Sequence, residues 1–240
     1  MSSVNIISHL KKLCDPARAT HSLRFFKTGV GEYGEGDKFL GLTVPQIRST
    51  VNQFWRKLTL AEVDQLLASS YHEHRLTGLL LLVKQYEKGD DEIKKAIYDF
   101  YLTHLSRINN WDLVDLSAPN IIGDYLLTRS RSILYKLAKS KNLWQRRVAI
   151  LSTFTFIRDH QFKDALSLAT ILLADPHDLI HKAVGWMLRE IGKRDLFVLT
   201  AFLDSHAHHM PRTMLRYAIE KLPPLSRQHY LTLKPQLGIN

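Results

Sequence analysis

The feature that most constrains the fold is a loose internal repeat of helical segments. Apolar residues at helical spacing begin new segments near Arg75, Trp111, Trp144, Lys182 and Arg212, at intervals of 36, 33, 38 and 30 residues. Three of these segments carry related text: Trp144-Gln145-Arg146-Arg147-Val148-Ala149-Ile150-Leu151, His181-Lys182-Ala183-Val184-Gly185-Trp186-Met187-Leu188, and Pro211-Arg212-Thr213-Met214-Leu215-Arg216-Tyr217-Ala218. A period of this size, with two helices per unit, marks an α-solenoid whose units bury their apolar faces against one another. No stretch alternates apolar and polar residues for long, so no strand is expected. The expected fold is all-α: a solenoid of helical hairpins curved around a concave basic groove. One helix of each pair lines it, and here those are the helices bearing Trp111, Arg147 and Trp186. No linker, low-complexity tract or compositional shift interrupts residues 1–240, which read as one domain.

The N-terminal third reads as helices too. Val4, Ile7, Leu10 and Leu13 share a face that ends at Asp15-Pro16. A second helix runs from near Ala17 through Phe26, a third starts at Pro45, and Thr59 with Glu62 forms a capping-box pattern. Between the second and third lies a polar stretch, residues 29–37. Its Gly29-Val30-Gly31-Glu32-Tyr33-Gly34 formally matches GxGxxG, but a helix precedes it where a dinucleotide fold needs a strand. It is read as a plain flexible loop.

Charge narrows the partners. Lys and Arg number 33 against 23 Asp and Glu, a formal net charge of +10, which favours polyanions, nucleic acid before an acidic membrane surface. The longest apolar run, Leu79-Leu80-Leu81-Leu82-Val83, is far too short to span a bilayer. A single cysteine, Cys14, excludes an intramolecular disulfide and a Cys-rich metal site. With no signal-peptide pattern at the start, a cytoplasmic setting is expected.

Few residues carry chemistry. His177 and His181 have the i, i+4 spacing of a zinc pair, but no third ligand or general-base Glu accompanies them. The group His206, His208 and His209 reads as a solvated turn, and no nucleophile elbow occurs. No metal or cofactor is expected. Asn109-Asn110-Trp111-Asp112-Leu113-Val114-Asp115 stands out. Asn110 is a good N-cap, Asp112 suits the helix dipole, and Asp115 lies one turn beyond Trp111 on the same face. On residue types alone such a Trp/Asp pair is more often structural than functional. Arg146 and Arg147 could form surface ion pairs, and Trp186 could belong to the core.

Taken together, the motifs resemble one family, the HEAT-like-repeat DNA alkylation-repair glycosylases of the AlkD type. The resemblance rests on Phe25-Phe26-Lys27-Thr28-Gly29 with Gly31-Glu32-Tyr33-Gly34-Glu35-Gly36-Asp37-Lys38-Phe39-Leu40-Gly41, and on Val44-Pro45-Gln46-Ile47-Arg48. It continues in Asn110-Trp111-Asp112-Leu113-Val114-Asp115, Trp144-Gln145-Arg146-Arg147 and Gly185-Trp186-Met187-Leu188-Arg189-Glu190-Ile191-Gly192-Lys193. It implies hydrolysis of the N-glycosidic bond of N3- and N7-alkylated purines in duplex DNA, by a monomer that engages the deoxyribose rather than a flipped base. By motif, it places Asp115, Trp111 and Trp186 at the reacting sugar. Arg147, with Arg146 beside it, falls at the DNA backbone, and Arg189, Arg48 and Lys27 are further phosphate contacts. The acidic, Gly-rich loop departs from the family's usual pattern and is expected to shape the DNA entry side. Two other readings compete: a catalytically silent DNA-binding solenoid, and a HEAT scaffold for a protein partner.

Overall fold

The structure is a computed structural model and describes residues 3–233 of the 240. Among the described residues there are 14 α-helices and no strand, so the all-α expectation holds. A lone bridge between Lys38 and Tyr71 is the only extended pairing described. The chain divides into two compact units, residues 1–125 and 126–240. No helix among the described residues is long and apolar enough to cross a membrane.

The first unit holds α1 (Ser3–Lys12), α2 (Pro16–Phe25), α3 (Val44–Phe54), α4 (Leu60–Leu67), α5 (His72–Lys88), α6 (Asp91–Thr103) and the one-turn α7 (Trp111–Asp115). Local sequence sets most of the starts. The Asp15 carboxylate accepts the Arg18 N–H ahead of α2, and Thr43 with Gln46 and Thr59 with Glu62 close full capping boxes on α3 and α4. Each such cap is typically worth about 1 kcal/mol.

Helix α5 is the keel of this unit and packs against α3, α4, α6 and α7. Its middle, Leu79 to Val83, is apolar on every side and buried, as a helix segment surrounded by others must be. The same surroundings bury its first turn, although that turn reads His72-Glu73-His74-Arg75. Burial of such groups is tolerated only where they are paired. The Glu73 carboxylate accepts the N–H groups of Leu40, Gly41 and Leu42 at 2.9, 2.8 and 3.3 Å. It thereby fixes a bend in which Gly41 has φ of +82° and lies too close to the Asp15 carbonyl for any side chain.

The second unit is a run of hairpins: α8 (Ser132–Ala138) with α9 (Leu143–Arg158), α10 (Lys163–Ile171) with α11 (Asp178–Gly192), α12 (Leu196–His206) with α13 (Arg212–Ala218), then α14 (Pro224–Thr232). The second helix of each pair begins within a few residues of the repeat starts read from the sequence. Successive second helices pack together, α9 on α11 and α11 on α13.

The α11–α13 contact depends on Gly185. A methyl group there would stand 2.4 Å from the Met214 carbonyl oxygen and 2.5 Å from Tyr217 Cβ, so the two backbones would have to separate. Gly185→Ala is expected to lower the unfolding free energy by about 1–3 kcal/mol through overpacking. Urea denaturation checks this; an unchanged or higher midpoint contradicts the close contact.

Candidate functional site

Trp111 and Asp115 occupy the two ends of α7, and both are half-buried. A helix of one turn is not stable alone, so its orientation comes from its anchors. Asn110 caps it, accepting the Trp111 N–H at 2.8 Å. Behind it, Ser117 donates to the Leu113 carbonyl, which leaves the Tyr101 hydroxyl to donate to Ser117 Oγ at 2.9 Å. Burial first, and then the Asp115 charge, push the Tyr101 phenol far above its ordinary pKa, with the Ser117 hydrogen bond opposing. Asp115 therefore sits within electrostatic reach of α6, with part of its side chain toward solvent.

Trp111 belongs to an aromatic stack that sequence reasoning missed. Its indole lies over Phe26 at 5.4 Å and meets the edge of Phe25 at 5.9 Å. Phe26 continues onto Phe39 at 5.0 Å and onto the His72 imidazole at 4.8 Å, and Phe39 in turn lies 5.0 Å from that imidazole, so the three rings form one cluster. Phe25 is 57% exposed, so the stack ends in an aromatic ledge open to solvent.

The stretch read as a flexible loop is folded on itself beside this ledge. Glu32 accepts the Gly29 N–H at 2.8 Å, Glu35 accepts the Gly31 N–H at 2.9 Å, and the Gly34 N–H reaches the Lys27 carbonyl at 3.0 Å. Lys27 itself has φ of +50° and is exposed. At the far end of the loop, Asp37 turns inward. It accepts from the Arg75 guanidinium at 2.7 Å and from Asn110 Nδ2 at 3.4 Å, and lies 3.5 Å from His72 Nδ1, an ion-pair distance. The other ring nitrogen, His72 Nε2, is 2.7 Å from Asp112 Oδ2. Burial alone would lower the His72 pKa. The charge and hydrogen bond of Asp112 and the contact with Asp37 outweigh burial and the opposing Arg75, raising it to about 9. Burial acts to raise Asp37, but His72 and Arg75 hold its carboxyl below the ordinary range. Asp112, expected to serve the helix dipole, is thus a partner in a buried charge network joining the loop, α5 and α7.

The second unit carries the remaining sequence candidates. Trp186 is half-buried on α11. Its Nε1–H donates to Glu190 at 3.2 Å, and its ring is 5.9 Å from Phe154. Glu190 also accepts from Lys193 at 2.6 Å and Arg194 at 3.2 Å. Arg147 is 5% exposed and donates to the Leu179 carbonyl, tying α9 to the first turn of α11. Arg146 reaches both oxygens of Asp175, and Arg189 pairs with Glu220. Arg48, on α3 of the first unit, is exposed. His177 and His181 do structural work: His177 Nδ1 accepts the Leu179 N–H at 3.1 Å, and His181 Nε2 donates to the Asp175 carbonyl. Among the described residues no group of three or more His, Cys, Asp or Glu is placed to hold a metal ion.

An all-helical chain with a tryptophan and a carboxylate on a one-turn helix defines an all-α protein with a candidate aromatic–acidic site. Residues 6–222 match the family model described as DNA alkylation repair enzyme, and the chain belongs to that family. The match runs through both compact units. The fold is similar to that of a predicted DNA alkylation repair enzyme from Enterococcus faecalis. The TM-score is 0.71 with 17% identity, over 88% of this chain and 97% of that one. It is also similar to AlkD2 from Streptococcus mutans, with a TM-score of 0.51 and 16% identity, over 93% of this chain and 100% of that one. No curated protein matches the chain.

Proposed function

We propose that the protein is a monofunctional DNA glycosylase that hydrolyses the N-glycosidic bond of N3- and N7-alkylated purines in duplex DNA, engaging the deoxyribose rather than a flipped base. The observation that carries this reading is the pairing of a partly solvent-facing carboxylate, Asp115, with a partly solvent-facing indole, Trp111, one turn apart on α7. Membership of the DNA alkylation repair family supports the substrate class.

The chemistry asks little of the protein. An N3- or N7-alkylated purine is already cationic, so it departs with the electron pair of the C1′–N bond as a neutral base and needs no acid. The positive charge passes to the sugar, water adds at C1′ and loses a proton, and an abasic deoxyribose remains. An ionised Asp115 opposes the developing sugar charge and orients the water. Trp111 offers a π face to the cation, a contact of about 0.5–2 kcal/mol. Helix α7 itself carries no lysine to form a Schiff base with the sugar, which supports the reading of simple hydrolysis without strand cleavage. Trp186 is proposed as a further aromatic contact to the DNA. Lys27 and Arg48, both exposed, are assigned to phosphates. Arg146, Arg147 and Arg189 reach phosphates by sharing or exchanging the bonds they now make to Asp175, the Leu179 carbonyl and Glu220.

Incubation with methylated duplex DNA, followed by chromatography of the supernatant, tests this reading. Release of free 3-methyladenine or 7-methylguanine above the protein-free rate is the expected result, with duplex affinity falling steeply as salt rises. Salt-dependent binding without base release would replace it with a silent DNA-binding role.

A further inference from the structure

We propose that His72 is a positioning residue: clamped as an imidazolium between Asp37 and Asp112, it locks the Gly-rich loop onto α7 and so sets the geometry of Trp111 and Asp115. For its effect on catalysis, the proposal rests on the glycosylase reading above; for its effect on loop and helix geometry, it does not.

The geometry favours the charged ring, with Nε2 hydrogen-bonded to Asp112 and Nδ1 at ion-pair distance from Asp37. A neutral imidazole has one N–H, yet both ring nitrogens face carboxylates, Nε2 at 2.7 Å from Asp112 and Nδ1 at 3.5 Å from Asp37. With one proton, one nitrogen would present its lone pair to a carboxylate in a buried site. The charge count agrees. Asp37 and Asp112 supply two negative charges and Arg75 one positive, so only a protonated His72 makes the buried set neutral. Phe26 and Phe39 both pack against the ring, which is buried. Every element packed against it is then accounted for. The loop brings Asp37, α7 brings Asp112, and α5 brings Arg75, while the neighbouring Glu73 is committed to the amides of residues 40–42.

The network's reach makes it a positioning device. Asp112 receives His72 on one oxygen and its neighbour's N–H, that of Leu113, on the other at 2.8 Å. Asn110 caps α7 with its amide oxygen and donates to Asp37 with its amide nitrogen. Two of the first three residues of this turn are therefore tied to the charge network. The loop is tied to it by Asp37, and its next residue, Lys38, exchanges backbone hydrogen bonds with Ser70 and His72 at 3.0 and 2.8 Å. Buried ion sets of this kind contribute little net stability over an apolar replacement; what this one fixes is the register between a loop and a helix too short to orient itself.

The test uses the full-length protein and two variants, His72→Gln and Asp37→Asn. At neutral pH, trypsin is expected to cut after Lys27 and Lys38 at least 10-fold faster in both variants, with far-UV circular dichroism unchanged. On methylated duplex, the wild-type rate of base release, corrected for the protein-free rate, should fall at least 10-fold from about pH 8 to about pH 10, while duplex affinity changes less than 3-fold. His72→Gln should be at least 10-fold slower at neutral pH and flat across that range. Asp37→Asn should move the alkaline limb to lower pH. An alkaline limb that is the same in all three proteins, or loop cleavage at wild-type rates in both variants, overturns the proposal. Should His72→Gln fail to fold, the limb of Asp37→Asn decides alone. Should the wild-type release no base, the glycosylase reading fails, while loop cleavage still decides the positioning role.

Discussion

Asp115→Asn should reduce the maximal rate of base release by about 10²–10³, the usual worth of one electrostatic group aimed at a developing charge. Asparagine keeps the size of the side chain and its ability to accept a hydrogen bond. It removes only the charge that opposes the cationic sugar. The side chain is half-buried and the amide matches it in volume, so the fold should persist. Affinity for undamaged duplex should change less than about 2-fold, because the lost group is an anion and not a phosphate contact. Single-turnover release and equilibrium binding, measured on the same preparations, separate the two effects. A proportional loss in both would mean that Asp115 holds the fold or the DNA and not the transition state.

The stability of the protein should fall by about 3 kcal/mol between pH 6 and pH 9.5, and His72 should be the reason. Its pKa stands near 9 in the folded chain against an ordinary 6.5, and each unit of difference is worth about 1.4 kcal/mol. The folded state holds the proton more tightly. The contribution is thus complete below pH 6.5, shrinks as pH rises, and is lost above about pH 9. Urea unfolding at half-unit steps of pH measures the slope, and His72→Gln should abolish most of it. Stability that is flat or rises over this interval would show that the imidazole is neutral in the folded chain. His74, drawn down to about 4 by desolvation and by the charges of Lys11 and Arg75, is neutral in the folded chain but still takes up a proton in the unfolded one at pH 6, so it adds a small opposing rise, under about 1 kcal/mol, that is complete by about pH 7.5.

Local and periodic signals were readable from the amino-acid sequence; long-range polar pairings were not. Helix starts at Trp111 and Arg212 coincide with the repeat positions, and those near Trp144 and Lys182 differ by a few residues. The Thr59–Glu62 capping box and the Asn110 cap are visible because all their partners lie within one turn. The charge network is invisible for the opposite reason. Asp37 meets Arg75 across 38 positions and His72 meets Asp112 across 40. One clue was available. His72-Glu73-His74-Arg75 runs straight into Leu79-Leu80-Leu81-Leu82-Val83, a helix apolar on all sides. A helix apolar and buried all round through its middle leaves little room for a solvated turn just ahead of it, so those four side chains had to find partners inside. The aromatic stack was missed because Phe25, Phe26 and Phe39 read as ordinary apolar positions, and only the fold of residues 26–41 gathers them beneath Trp111.

The internal ion pairs bear on what a polyanion meets. Arg75, Arg131, Arg146 and Arg189 are each matched to a carboxylate, on Asp37, Asp164, Asp175 and Glu220. Each match cancels one charge of either sign, so the surplus of +10 is left to other lysines and arginines. Long-range attraction is then diffuse. Neutralising any one surface cation should weaken it slightly, and only wholesale neutralisation should abolish it, whereas the motif arginines act at short range, on the phosphates they are assigned to.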